Sequence, residues 1–90
     1  MFDWDEEKNA SNLQKHGLRF EEACLIFEGR VLSKADDRFD YGEERIISIG
    51  LIRDIVAVVV VHTERDGKTR IISARLANRG ERKIYDDHCR

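Results

Sequence analysis

The chain has 90 residues, enough for a single domain over 1–90 with one small core. At 41% hydrophobic and 38% charged it is too apolar to be disordered, and it is far more charged than the usual share of about 25%. The formal net charge of −2 points, taken as a total, away from a nucleic-acid partner, and the longest apolar run, Ile55 to Val61, is far short of a membrane-spanning helix.

Phe2 to Trp4 reads as a short extended start. Asp5 then has the character of a helix N-cap, with Glu6 and Glu7 at the positive end of the helix dipole. Lys15 and His16 suit a last turn and Gly17 a left-handed stop, so the spacing predicts a helix over 6–16. Its apolar face is thin, chiefly Ala10 and Leu13, as expected of a surface helix or of one that leans on a partner. A second helix is predicted from Glu21 to Glu28. Its core stripe is Phe20, Ala23, Cys24 and Phe27, at i, i+3, i+4 and i+7, which makes Cys24 a small buried hydrophobe.

The period then changes. Val31 to Lys34 reads as a short strand, Asp36 to Glu44 as a polar turn, and Arg45 to Ile52 as an Ile-rich strand. The segment from Asp54 to Glu64 holds seven consecutive apolar residues, the mark of a strand covered on both faces and central in its sheet. Asp66-Gly67 is a two-residue hairpin signal, and Lys68 to Leu76 is the return strand. Simple alternation there puts Thr69, Ile71, Ser73 and Arg75 on one side and Arg70, Ile72, Ala74 and Leu76 on the other. Asn78 with Glu81 three positions on resembles a capping box, opening a final helix over Arg79–His88. The expected class is α+β: two N-terminal helices and one C-terminal helix on a small, mainly antiparallel sheet. One sheet face should carry the second helix, leaving the other to display polar side chains.

Charge position is more informative than charge total. Residues 1–44 carry 6 Lys/Arg against 12 Asp/Glu, or −6, while residues 45–90 carry 10 against 6, or +4. Such asymmetry suits an anionic partner. Eleven of the 16 basic residues are Arg, the side chain with forked geometry for phosphate. Arg75 ends the return strand, and Arg79 and Arg82 lie three apart on the final helix. The three are expected to converge near that helix's N-terminus, a favourable place for a phosphate, or else to pair with surface carboxylates. His62 and Glu64 share a face at the end of the central strand. They are candidates for proton transfer, or they mark where the strand emerges into water. Arg70, close to the hairpin turn, reaches solvent. Tyr85 reads first as a core-edge residue and second as a platform for a base. No metal-ligand spacing, Gly-rich phosphate loop, HExxH or GxSxG occurs, so no metal and no cofactor is expected. Two cysteines without a CxxC and an acidic start unlike a signal peptide suggest a cytoplasmic chain with reduced thiols.

Two separated sets of residues carry a resemblance. The first is Trp4-Asp5, Lys8, Asn12, Lys15-His16-Gly17, Phe20-Glu21-Glu22-Ala23 and Phe27. The second is Glu44-Arg45, Ile49-Gly50, the Val-rich strand, Arg70-Ile71-Ile72-Ser73-Ala74-Arg75, Ala77, Glu81-Arg82 and Tyr85. Together they resemble the BrnT family of toxins from type II toxin–antitoxin modules. One departure is Gly80, where the family often places a cation before the glutamate. The resemblance implies a RelE/ParE-like fold and a ribonuclease that blocks translation. It also implies, as partner, a BrnA-type antitoxin with a ribbon-helix-helix part. The two form a hetero-oligomer that reaches operator DNA only through the antitoxin. Cleavage in such toxins needs no metal, because the RNA 2′-hydroxyl attacks its own phosphate. On this footing Arg75 and Arg79 are the expected catalytic cations and His62 or Glu64 the proton carrier. Arg82, Lys8, Arg70 and Tyr85 complete the expected RNA-binding set. The alternative is a non-catalytic module that holds an acidic protein or nucleic acid through the same arginines.

Overall fold

The computed structural model describes residues 1–38 and 40–89. Strand β1 (Phe2–Asp3) leads into helix α1 (Glu6–His16), whose N-cap Asp5 accepts hydrogen bonds from the backbone N–H groups of Glu7 and Lys8. Gly17, at φ 69°, ends the helix in the left-handed conformation that a side chain would resist. Helix α2 is a single turn, Phe20–Ala23, and the chain then tightens into a 3-10 segment, Cys24–Glu28. Four strands follow: β2 (Val31–Ala35), β3 (Ile46–Ile52), β4 (Val56–Arg65) and β5 (Lys68–Leu76). Helix α3 (Arg79–Cys89) comes last.

The sheet order is β1-β5-β4-β3-β2, so the Val-rich β4 lies in the middle, as its unbroken apolar run requires. Every neighbouring pair is antiparallel except β1 and β5, which run parallel through Phe2 opposite Thr69 and Asp3 opposite Arg70. The sheet is therefore mixed. A three-residue turn, Arg53 to Ile55, joins β3 to β4, and the two-residue turn Asp66-Gly67 joins β4 to β5. Arg53, Asp54, Asp66 and Gly67 have positive φ.

Ladder partners define the two faces. Ser48, Val60 and Ala74 stand side by side on one face, with Gly50, Val58 and Leu76 in the next row. Ile47, Val61 and Ser73, then Ile49, Val59 and Arg75, occupy the opposite face. The first face packs under α1, α2 and the 3-10 segment, and its core is Leu18, Phe20, Ala23, Ile26, Val58, Val60, Ile71 and Ala74. The 3-10 tightening changes the expected stripe. At three residues per turn Phe20, Ala23 and Ile26 line up and are fully buried, while Cys24 and Phe27 turn partly outward. Burial still pushes the Cys24 thiol up to about 11, so it remains an unreactive hydrophobe.

The thin apolar face of α1 has a physical answer. Ala10 is exposed and Leu13 only half-buried; the residues that turn inward are Asn9 and Asn12. Asn12 Nδ2 donates to the carbonyls of Leu18 (2.9 Å) and Ala74 (2.8 Å), and its Oδ1 accepts from the Ala74 N–H at 3.1 Å. It thus pairs with β5 as a strand would. Asn9 Oδ1 accepts from the Phe20 N–H at 2.8 Å, and its Nδ2 donates to Glu21 at 2.8 Å. The helix docks by satisfying buried backbone groups rather than by apolar area.

Strand β5 also departs from simple alternation. Val61 pairs with Ser73 but His62 pairs with Ile71, so Ile72 is an extra residue that shifts the phase. As a result Ile71 and Ala74, an odd number apart, are both buried on the helix face. Ladder partners place Arg70 on the same side of the sheet as Arg75, not on the opposite side.

Candidate active site

On the face away from α1, helix α3 covers only part of the sheet. Its neighbours there are β2 and β3, and Tyr85 fixes the helix: the ring is buried and the hydroxyl donates to the Arg30 carbonyl at 2.9 Å. Beside α3 lies a cleft of about 450 Å³. Its floor is aliphatic, from Leu32, Ile47, Ile49 and Ile84, and its rim carries Lys34, Arg38, Arg75, Glu81 and His88.

Arg75 reaches this rim because the β5 phase shift turns it to the α3 side of the sheet. Its two terminal nitrogens donate to the two Glu81 oxygens at 2.8 Å each, a forked pair. Glu81 also completes the capping box of α3. Its backbone N–H donates to Asn78 Oδ1 at 2.8 Å, and its Oε1 accepts from the Asn78 N–H at 2.9 Å. The Arg75 guanidinium, above all, holds the Glu81 carboxyl at about 2, with help from the Asn78 N–H and the Lys34 charge. Glu81 is thus an anion near neutral pH, seated at the positive end of the helix. A phosphate approaching that helix end would have to compete with it.

Arg38 reaches the same cleft from the loop after β2. Its Nε and Nη2 donate to Asp36 at 2.8 and 3.0 Å, and the Asp36 carboxylate, fully buried, also accepts from the Tyr41 hydroxyl at 3.1 Å. Arg38 foremost holds the Asp36 carboxyl far below the usual carboxylate range. The Arg45 guanidinium lies 3.9 Å over the Tyr41 ring, and the Asp36 N–H donates to the Arg45 carbonyl at 2.8 Å, closing the loop. His88 Nδ1 lies 2.9 Å from the Ile84 carbonyl. Because a carbonyl only accepts, Nδ1 carries the proton and Nε2 is the nitrogen left for another partner.

The expected convergence of Arg75, Arg79 and Arg82 does not form. Arg82 donates to the Ile55 carbonyl at 2.9 Å and to Asp86 at 3.2 Å. With exposed Arg79 it lines a separate depression over Ile55, Val56 and Leu76. Arg70 is tied to Asp3 at 2.7 Å and so fastens β1 to β5, roughly 15 Å along the strand from Arg75. Lys8 is exposed on α1, beside a shallow groove with Lys15, His16 and Ser73. His62 lies behind the sheet, on the helix face. Its Nε2 is 2.8 Å from Ser48 Oγ, its ring meets Phe27 edge-on at 5.0 Å, and its Nδ1 has no hydrogen-bond partner among the described residues. Desolvation lowers its pKa. Glu64 accepts from the Thr69 hydroxyl at 2.7 Å. Neither His62 nor Glu64 lines the cleft that holds Arg75.

The rim residues Lys34, Arg38 and His88, and the buried Asp36 that holds Arg38, are those that reading the chain alone passed over. Lys34 falls within a predicted short strand, Asp36 and Arg38 within a predicted polar turn, and His88 at the end of the predicted final helix. The available signal was the two-residue offset of Asp36 and Arg38, which lets an aspartate grip an arginine once a loop is tied down.

Residues 4–81 match the family model described as the ribonuclease toxin BrnT of type II toxin–antitoxin systems. No curated protein matches the chain. Among solved structures the chain is similar to the ribonuclease toxin BrnT of Brucella abortus. The identity is 25% and the TM-score 0.65, over 88% of this chain and 99% of that one. The family match takes in α1, α2 and strands β2 to β5, and it ends on Glu81, the residue that holds Arg75. The chain belongs to the BrnT family of ribonuclease toxins from type II toxin–antitoxin systems.

Proposed function

We propose that the chain is an endoribonuclease that cuts RNA without a metal and so blocks translation in the cytoplasm. The observation that carries this reading is the cationic rim: Lys34, Arg38 and Arg75 stand around one cleft, and Arg75 is fixed by a forked pair to Glu81. Positive charge held in place ahead of reaction stabilises the charge that builds on phosphate oxygens.

In this scheme the RNA 2′-oxygen attacks the adjacent phosphorus while the 5′-oxygen leaves in line. A base takes the hydroxyl proton, and an acid returns one to the leaving oxygen. The products are a 2′,3′-cyclic phosphate and a 5′-hydroxyl. Arg75 binds the reacting phosphate through guanidinium edges that Glu81 leaves free. Arg79 and Arg82, in the first turn of α3, extend the cationic surface to a flanking phosphate. Lys8 and Arg70 add a more distant charge for the RNA strand. His88 is the histidine that lines the cleft, with Nε2 left by the Ile84 contact, and serves as the proton carrier; His62 lies behind the sheet.

Membership of a type II family implies an antitoxin partner. We propose a BrnA-like antitoxin with a ribbon-helix-helix part, which covers the cationic face and brings the pair to operator DNA. The α+β layout, with helices packed on both faces of a mainly antiparallel sheet, supports the proposed kinship with RelE/ParE toxins. The test is RNA cleavage in EDTA by the wild type, Arg75→Ala, Arg79→Ala and His88→Ala. Cleavage that persists in EDTA and falls about 100-fold or more in Arg75→Ala is expected. A clean wild-type protein that binds RNA without cutting it leaves a binding module instead.

A further inference from the structure

The same cleft holds a second arginine, and its mounting repeats that of the first. Arg75 is gripped by Glu81 from α3, and Arg38, which lines the same cleft, is gripped by Asp36 from the loop after β2. In both pairs the carboxylate is the less exposed partner: Asp36 at 0% beneath Arg38 at 63%, and Glu81 at 24% beneath Arg75 at 45%. Each carboxylate thus sits on the protein side and each guanidinium on the solvent side. A guanidinium has five N–H donors in a planar fork, and a forked carboxylate contact uses two of them. Donors therefore remain on both arginines.

Two cations facing one cleft repel each other, and here the repulsion is felt: the Arg38 charge lowers the pKa of Arg75 against the stronger upward pull of Glu81. Lys34 adds a third cation on the same rim. Ion pairing for stability alone would separate the two arginines. Holding them over one cleft is unfavourable until an anion comes between them.

We propose that Arg38 and Arg75 form a two-sided clamp for one phosphodiester of single-stranded RNA, and that Asp36 is the positioning residue that turns Arg38 toward it. The aliphatic floor of Leu32, Ile47 and Ile49 lies under the clamp and receives the apolar side of the sugar or base next to the held phosphate. The floor has no base-edge code, so the clamp selects for an accessible single-stranded backbone more than for sequence. The inference rests on the ribonuclease reading, but binding and cleavage can be measured apart.

The experiment uses a short single-stranded RNA with 2′-fluoro sugars. This probe keeps its phosphates but lacks the attacking hydroxyl. Its affinity is measured for the wild type, Arg38→Ala, Arg38→Lys, Asp36→Asn, Arg75→Ala and the double variant Asp36→Asn/Arg38→Ala. Arg38→Ala and Arg75→Ala should each weaken binding about 10- to 100-fold, the worth of a charge-assisted pair of hydrogen bonds. Arg38→Lys should recover only part of the loss, since an ammonium cannot face Asp36 and a phosphate with the same fork. Asp36→Asn should weaken binding in the wild-type background and have no further effect once Arg38 is gone, because it acts through Arg38. Full affinity in Arg38→Ala, no binding of the probe by the wild type, or an added loss from Asp36→Asn in the Arg38→Ala background would overturn the clamp. Failure of the ribonuclease reading looks different: this binding pattern holds, yet unmodified RNA stays intact.

Discussion

Glu81 joins three tasks in one side chain. It caps α3, neutralises the helix end and fixes Arg75. Arg75 foremost depresses its pKa to about 2 in the folded chain, against an ordinary value of 4.5. Its contribution to stability is therefore complete above pH ~5 and fades as pH falls toward 2. Glu81→Gln should lower stability by about 1–2 kcal/mol in urea unfolding at pH 7, the worth of a cap. It should also reduce cleavage, because Arg75 loses its forked anchor. His62 has the opposite sign of charge and the same direction in pH. Its folded pKa lies below the ordinary 6.5 because burial against Phe27 and Ser48 disfavours the imidazolium, while Glu64 opposes that shift only in part. Below about pH 6.5 the unfolded chain takes up the proton more readily, so stability should fall from pH 7 to 5. His62→Gln should flatten that slope. An unchanged slope would mean that His62 binds its proton equally well in the folded and unfolded chain.

At the scale of elements, α1 is held by polar groups and the 3-10 segment after α2 by close approach. Asn12→Ala would leave the Ala74 N–H and carbonyl and the Leu18 carbonyl without their partner, a loss of about 2–4 kcal/mol. Gly50 lies where the 3-10 segment presses on β3, and a Cβ there would come within 2.7 Å of Ile26 Cβ. Gly50→Ala should therefore destabilise the fold by about 1–3 kcal/mol, with the urea midpoint as the readout. The termini of α1, the Asp66-Gly67 hairpin, the central β4 and the Asn78–Glu81 cap were all legible in the chain, because local chemistry decides each one. Asn9 and Asn12 were not, because their partners lie in α2 and β5 and no helical period marks them. The Arg53-Asp54 hairpin was equally hidden: neither residue is a glycine, yet both take positive φ. The extra residue at Ile72 escaped too, since it shows only in the register against β4.

Over the whole molecule, the acidic and basic halves of the chain fold onto each other. Asp3 pairs with Arg70 and Glu43 with Arg65, each joining an acid of the first half to an arginine of the second. Two of the three cations at the cleft, Lys34 and Arg38, come from the half with the negative balance. The split in charge thus indicated an anionic partner, while the cleft draws on both halves. What makes the cleft cationic is where carboxylates stand, behind the guanidiniums rather than in front of them. The most direct test of this account is the chemistry of the RNA ends made in EDTA. The account predicts 2′,3′-cyclic phosphate and 5′-hydroxyl ends from the wild type and almost none from Arg75→Ala. Cleavage that stops in EDTA, or that continues undiminished in Arg75→Ala, would contradict it.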